Sequence, residues 1–391
     1  MRVCIGSAGR FHAFDLARQM DRLGHFAHLY TAYPRWKVDG FPREKVSTFP
    51  WLAVPSFALA RVGTSAPGFR EINWMVIDTF GSWLARRLEP CDVLHCLSCY
   101  GLRAHRVARE RYGALTVCAR SSAHIVRQNE ILTEEYSRWK VPYRHFDPRM
   151  VERELQEYEE CDLILVPSDF AYQSFVEKGV AREKLRLDPL GVDLSVFRPV
   201  PKRDKTFRVI CVGRMSLQKG IPYLLQAVES LRLPDFELWL VGGVDPEIKP
   251  FLERYRDSFR HLGFIPRTEL FSYYSQGSVF VIPSVQEGLA LVQAQAMACG
   301  LPVIATTNTG AASLFTDGRE GFIVPIRDPA AIREKILYLY EHPDVRDAMS
   351  QAARERVQGL GGWNEYGDRT LSIYEDGLAR RRGATTAASR A

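Results

Sequence analysis

The stretch from Val281 to Thr306, VIPSVQEGLALVQAQAMACGLPVIAT, limits the possible folds of this 391-residue chain more than any other. It reads as the end of a strand over Val279 to Ile282, a Pro-Ser turn, Glu287-Gly288, a helix, and a second strand over Pro302 to Ala305. The helix is rich in small residues, with Ala294, Ala296, Ala298 and Gly300 allowing close packing on a sheet. Strands alternating with helices in this way imply a parallel sheet with crossover helices. Where the strand gives way to the helix, unpaired backbone N–H groups and the positive end of the helix dipole meet, which suits a diphosphate. A carboxylate at that point repels phosphate. It makes sense if it grips hydroxyls carried by the phosphate compound.

The same alternation runs through the whole chain. Strands are expected over Arg2 to Ile5, Val93 to Cys96, Thr116 to Ala119 and Leu163 to Pro167. A glycine turn, Gly6-Ser7-Ala8-Gly9, precedes a helix from about Phe11 to Leu23, with Leu16, Met20 and Leu23 on one face. A second cycle begins at Phe207 to Val212 and continues through Glu237 to Val241 and Gly321 to Val324. The length exceeds what one core sustains. The charged, proline-bearing stretch Pro199 to Lys205 is the expected linker. The reading is α/β: two doubly wound, Rossmann-like domains, residues 1–200 and 201–378, facing across a cleft. A basic tail over 379–391 is expected to be disordered. Ligands of such sheets bind beyond the carboxyl ends of the strands, which makes the cleft the expected site.

Arg214 and Lys219, in CVGRMSLQKGIPYLLQAV, follow the first strand of the second cycle and can flank one diphosphate, the arginine as a fork and the lysine as a point charge. His124, in CARSSAHIVRQNE, lies just past the carboxyl end of a strand. His12 is the next histidine in order of interest, because it follows the glycine turn that ends at Gly9.

With these residues in place, the chain resembles the retaining glycosyltransferases of family 4, which have the GT-B fold. The motifs that carry this are EG-L-A-L-V…A-MACGLPVIAT and G-R-x4-K-G, and the resemblance is strongest over residues 207–340 and weakest over 30–115. It implies that Arg214 and Lys219 clamp the diphosphate and steady the leaving nucleotide. It implies a catalytic pair in Glu287, on hydroxyls of the transferred sugar, and His124, reaching the same sugar. Gly9, Gly288, Leu289, Ala290 and Leu291 are implied to bind the donor through backbone, and Ile265, in HLGFIP, to meet the base. The family's second glutamate, eight residues after the first, falls on Gln295, which keeps an acceptor oxygen for a ribose hydroxyl but removes the charge. The implied reaction moves a sugar from a nucleotide-diphosphate sugar to a glycan or lipid-linked acceptor, with same-face attack and the leaving phosphate taking the acceptor's proton. The alternative, from the Gln295 departure, is a catalytically inactive nucleotide-sugar-binding partner.

No Asp-x-Asp pair occurs and no His/Cys set has metal spacing, so no metal and no cofactor beyond the sugar donor are expected. The eight cysteines, including the C-x4-C-x2-C of Cys91, Cys96 and Cys99, read as free thiols in the core. Residues 1–150 hold 22 Lys and Arg against 13 Asp and Glu, a surplus of 9 that suits an anionic acceptor or an anionic membrane face rather than nucleic acid. The amino terminus lacks a signal-like apolar run, and the most apolar window, Trp51 to Val62, falls short of the ~18 residues of a spanning helix. A cytoplasmic location is expected, with contact at most peripheral, on the inner face of the plasma membrane.

Overall fold

A computed structural model describes residues 1–51 and 68–388. The chain forms two parallel sheets. The first contains β1 (Val3–Ser7), β2 (Phe26–Thr31), β3 (Val46–Thr48), β4 (Val93–Leu97), β5 (Leu115–Ala119), β6 (Leu163–Val166) and β7 (Leu185–Leu187). Its strand order is β3-β2-β1-β4-β5-β6-β7. The second contains β8 (Phe207–Val212), β9 (Phe236–Val241), β10 (Arg260–His261), β11 (Val279–Ile282), β12 (Val303–Thr306) and β13 (Gly321–Val324), in the order β10-β9-β8-β11-β12-β13. In both, the order reverses beside the first strand, so each is doubly wound, with a crevice at the switch between β1 and β4 or between β8 and β11. The central strands β1, β4, β5, β8, β11 and β12 are buried along their length, because helices cover both faces. This is the GT-B architecture, as expected.

The expected strands are present, mostly within a residue or two of their expected bounds. β2, β3, β7 and β10 were not anticipated, and three of these are strands of two or three residues whose sequences carry little alternation. All eight cysteines are buried and free. The apolar window, apart from Trp51, lies outside the described residues.

The structure draws the domain boundary elsewhere than at residues 200 and 378. Val192 and Phe197 already belong to the core of the second sheet. The helix Trp363–Ala388 returns to the first sheet, where Tyr366 and Tyr374 join the core. Its one-sided stripe of Tyr366, Thr370 and Tyr374, spaced by four, explains the return. Thr370 Oγ1 donates to Asp188 (2.7 Å), Arg369 Nε donates to the same carboxylate (2.8 Å), and Tyr374 Oη meets His95 Nδ1 at 2.7 Å. The expected disordered tail is therefore helical as far as Ala388. The two crossings between the domains touch: a Cβ on Gly191 would lie 2.4 Å from the Gly362 carbonyl oxygen.

The helix Ile125–Arg138 starts in the first domain and ends in the second. Its Ile125 packs with Tyr158 and Phe175, whereas its Ile131 lies in the core of the second sheet. Glu135, fully buried, accepts hydrogen bonds from Arg327 Nε (2.6 Å), Tyr223 Oη (2.8 Å) and Trp139 Nε1 (2.8 Å). Two of those donors belong to the second domain, so the carboxylate ties the halves together.

Candidate active site

The loops at the carboxyl ends of the two sheets meet, and the site is built where they meet. After β8 the chain turns at Gly213 (φ +147°), passes the anchoring side chains of Met215 and Leu217, and turns again at Gly220 (φ +66°) into the helix Ile221–Glu229. Gly220 lies against the loop after β11, since a Cβ there would stand 2.0 Å from the Pro283 carbonyl oxygen. Only glycine satisfies both the backbone angle and the contact. This brings Lys219 to Glu287, with Lys219 Nζ 2.5 Å from Glu287 Oε1. The two are in direct contact as a partly buried ion pair, so a hydroxyl that reaches Glu287 Oε1 shares that oxygen with the Lys219 ammonium.

Arg214 stands on the same loop with its side chain 67% exposed, tied among the described residues only to Asp245 (2.7 Å). Such an exposed pair is worth little, so the guanidinium can leave it for a phosphate at small cost. The loop after β11 is held from behind. Val285 N–H donates to the Gln218 carbonyl (2.8 Å), and Glu287 N–H to that of Asn308 (3.0 Å). The helix begins at Leu291, three residues later than Gly288. Ala290 N–H is already committed to the Thr309 carbonyl (3.2 Å), so it is not a free donor as expected. Gly288 and Leu289 N–H have no partner among the described residues.

Gly288 is also the point of contact with the first domain. A Cβ there would lie 1.9 Å from the Ser121 carbonyl oxygen, and its own carbonyl accepts from Ser168 Oγ (2.5 Å). Two residues past Ser122, His124 caps the helix Ile125–Arg138. Its ring is buried against Tyr158 and Phe175, and burial, aided by the Arg120 charge, pushes its pKa down to about 4. Nδ1 accepts from Val126 N–H (3.3 Å), which assigns the proton of the neutral ring to Nε2. His124 is therefore a hydrogen-bond donor at Nε2 and not a base. His12 comes to the same loop, 3.5 Å from Ser121 Oγ, with its pKa pushed down to about 4 by burial.

The remaining expected residues divide. Gly9 is buried under the ring of Phe11, an exposed aromatic held at φ +34°. Ile265 is half-buried against the second core, beside an exposed Phe264. Gln295 does not offer its oxygen freely: the residue is buried, and Oε1 accepts from Tyr274 Oη (3.3 Å). Sequence reasoning missed Gln286, Gln218 and Ser122. The two glutamines directly precede Glu287 and Lys219, and that repeated adjacency was the available signal. Among the described residues no group of three His, Cys, Asp or Glu is placed to hold a metal ion, and no helix is long and apolar enough to cross a membrane.

Residues 10–196 match the family described as Glycosyltransferase Family 4, and residues 206–342 match Glycosyl transferases group 1. The chain belongs to the family 4 glycosyltransferases. Among curated proteins it is 28% identical over 220 residues to D-inositol 3-phosphate glycosyltransferase of Paenarthrobacter aurescens, covering 51% of this chain and 54% of that one. Such matches span about half the length of the relatives. Among solved structures, the sucrose-phosphate synthase of Thermosynechococcus elongatus superposes with a TM-score of 0.70 at 21% identity, covering 97% of this chain and all of the other. Anabaena HepE, in complex with UDP and glucose, gives 0.67 at 14% identity over 96% and 100% of the two chains. These likenesses establish the fold of this family member.

Proposed function

We propose that this family 4 member is a retaining, metal-independent transferase that moves a sugar from a nucleotide-diphosphate sugar to a glycan or lipid-linked acceptor. The observation that carries the reading is the Lys219–Glu287 pair, partly buried at the switch between β8 and β11 and facing the loop of the partner domain. Lys219, with Arg214 swung from Asp245, neutralises the diphosphate. The open N–H groups of Gly288 and Leu289 add donors where charge builds on the leaving group. Glu287 accepts from hydroxyls of the sugar, and His124 donates to a sugar oxygen through Nε2–H. The bond from the anomeric carbon to the diphosphate breaks while its bond to the acceptor oxygen forms, and the acceptor's proton passes to the leaving phosphate. Family resemblance supports retention, and the basic surplus of residues 1–150 supports an anionic acceptor or peripheral contact with an anionic membrane.

A second reading, a nucleotide-sugar-binding partner without catalysis, is favoured by one observation, the engagement of Gln295 by Tyr274. Thermal shifts with UDP, GDP, ADP and CMP, without metal and then with it, test the donor site. A diphosphate at ~100 times its dissociation constant adds about 2.7 kcal/mol to stability. One nucleotide is expected to shift the protein without metal, and Lys219→Ala to abolish the shift. Release of that nucleotide from its sugar conjugates then separates the enzyme from the inactive partner. No shift with any of the four refutes the donor site.

A further inference from the structure

Gln286 immediately precedes Glu287 and is fully buried, yet its amide is not satisfied within its own loop alone. Its Nε2 donates to Ser122 Oγ of the first domain (2.8 Å) and to the Glu287 carbonyl (3.0 Å). Its Oε1 and its backbone carbonyl both accept from Gln218 Nε2, each at 3.1 Å. Gln218 in turn precedes Lys219, and its carbonyl receives Val285 N–H. One side-chain amide thus joins three loops: the one carrying Lys219, the one carrying Glu287, and the first-domain loop that leads into His124.

We infer that Gln286 is a positioning residue that couples closure of the two domains to the alignment of Lys219 and Glu287. Ser122 is the only first-domain group that Gln286 bonds among the described residues. When the cleft opens, that bond breaks. The buried Nε2 then keeps only the Glu287 carbonyl, and the Gln218 link is free to slacken. When it closes, Ser122 fixes the amide, the amide fixes Gln218 and the Glu287 carbonyl, and the charged pair is set for a donor sugar. Both glutamines spend their side-chain hydrogen bonds on protein groups. They act through the residues that follow them, so the donor can bind in either state while bond breaking awaits closure. Placement within a fraction of an ångström decides catalytic rate more than binding, which is why the effect falls on turnover.

This inference rests on the transferase reading, and the test separates the two. Ser122→Ala removes the interdomain bond at a half-buried position, and Gln286→Ala removes the whole junction. UDP, GDP and ADP are used as binding probes by thermal shift. Hydrolysis of UDP-glucose, UDP-N-acetylglucosamine, GDP-mannose and ADP-glucose, followed by nucleotide release, reads turnover without any need for an acceptor. Ser122→Ala is expected to hold nucleotide affinity and donor KM within about twofold and to lower kcat about tenfold. Gln286→Ala is expected to lower kcat further, and the double variant to be no worse than Gln286→Ala. Ser122→Thr, which keeps the hydroxyl, is expected to recover most of the turnover. Unchanged kcat in both alanine variants overturns the inference alone. So does a loss of nucleotide affinity equal to the loss of kcat, which would make the junction merely structural. A wild-type protein that binds no diphosphate and hydrolyses no donor overturns the transferase reading and this inference with it.

Discussion

Arg327→Ala is the substitution whose cost the structure predicts most directly. Arg327 is 11% exposed at its side chain and sits in the left-handed backbone region at φ +62°, where it pairs with Glu135 and also meets Glu134. Alanine inherits the same backbone angle, so no strain is relieved. What changes is Glu135, which keeps two neutral donors, Tyr223 and Trp139, but loses the only cation that pairs with this fully buried carboxylate among the described residues. Removing one partner of a buried pair costs about 3–5 kcal/mol. At ~2.1 cal/mol/K per residue, the unfolding entropy of a chain this long is about 0.8 kcal/mol/K, so Tm should fall by ~4–6 °C. Glu135→Gln preserves the acceptor for Tyr223 and Trp139, and should cost only ~1–2 kcal/mol. The double variant should therefore be more stable than Arg327→Ala alone, because no charge is left buried. Differential scanning calorimetry at pH 7.5, with reversibility checked, measures all three. A loss under 1 °C for Arg327→Ala, or a double variant no better than it, refutes the claim that this carboxylate is sealed between the domains.

Gly288→Ala should abolish donor hydrolysis by at least ~100-fold while leaving nucleotide binding, because the added Cβ, 1.9 Å from the Ser121 oxygen, holds the cleft open rather than unfolding either half; turnover and thermal shift measured together check it. His95 is fully buried with Nε2 unpartnered, and burial pushes its pKa down to about 3. Its unfolded value is near 6.5, so below that pH the unfolded chain takes up a proton that the native state refuses. Stability from this group is complete above pH 6.5 and is lost as pH falls toward 3. The stability advantage of wild type over His95→Asn should shrink by about 1.5 kcal/mol between pH 6.5 and 5, as read from urea midpoints; a constant difference refutes it.

How much of the site was legible in the sequence differs residue by residue. Lys219 and Glu287 were readable because each follows a strand and precedes a helix, and strand ends of a parallel sheet point to one edge. Their mutual contact was not, since it depends on β8 and β11 being neighbours, which strand order alone decides. His124 was readable as a position, but its proton location follows from a hydrogen bond within its own helix cap. For Gln295 the family resemblance implied a ribose contact. Tyr274, from a helix 21 residues earlier, claims its oxygen, and such a pairing leaves no periodic trace.

The sequence by itself determined the alternation of strands and helices, the two parallel sheets, and the loops that carry charge, because apolar runs, glycine turns and caps act within a few residues. Only the tertiary structure decided that the last helix returns to the first sheet, that one helix is shared between the two cores, and that Gln286 joins three loops. Those outcomes depend on which surfaces are buried against each other across more than a hundred residues. Local propensity does not encode such distances, and packing does.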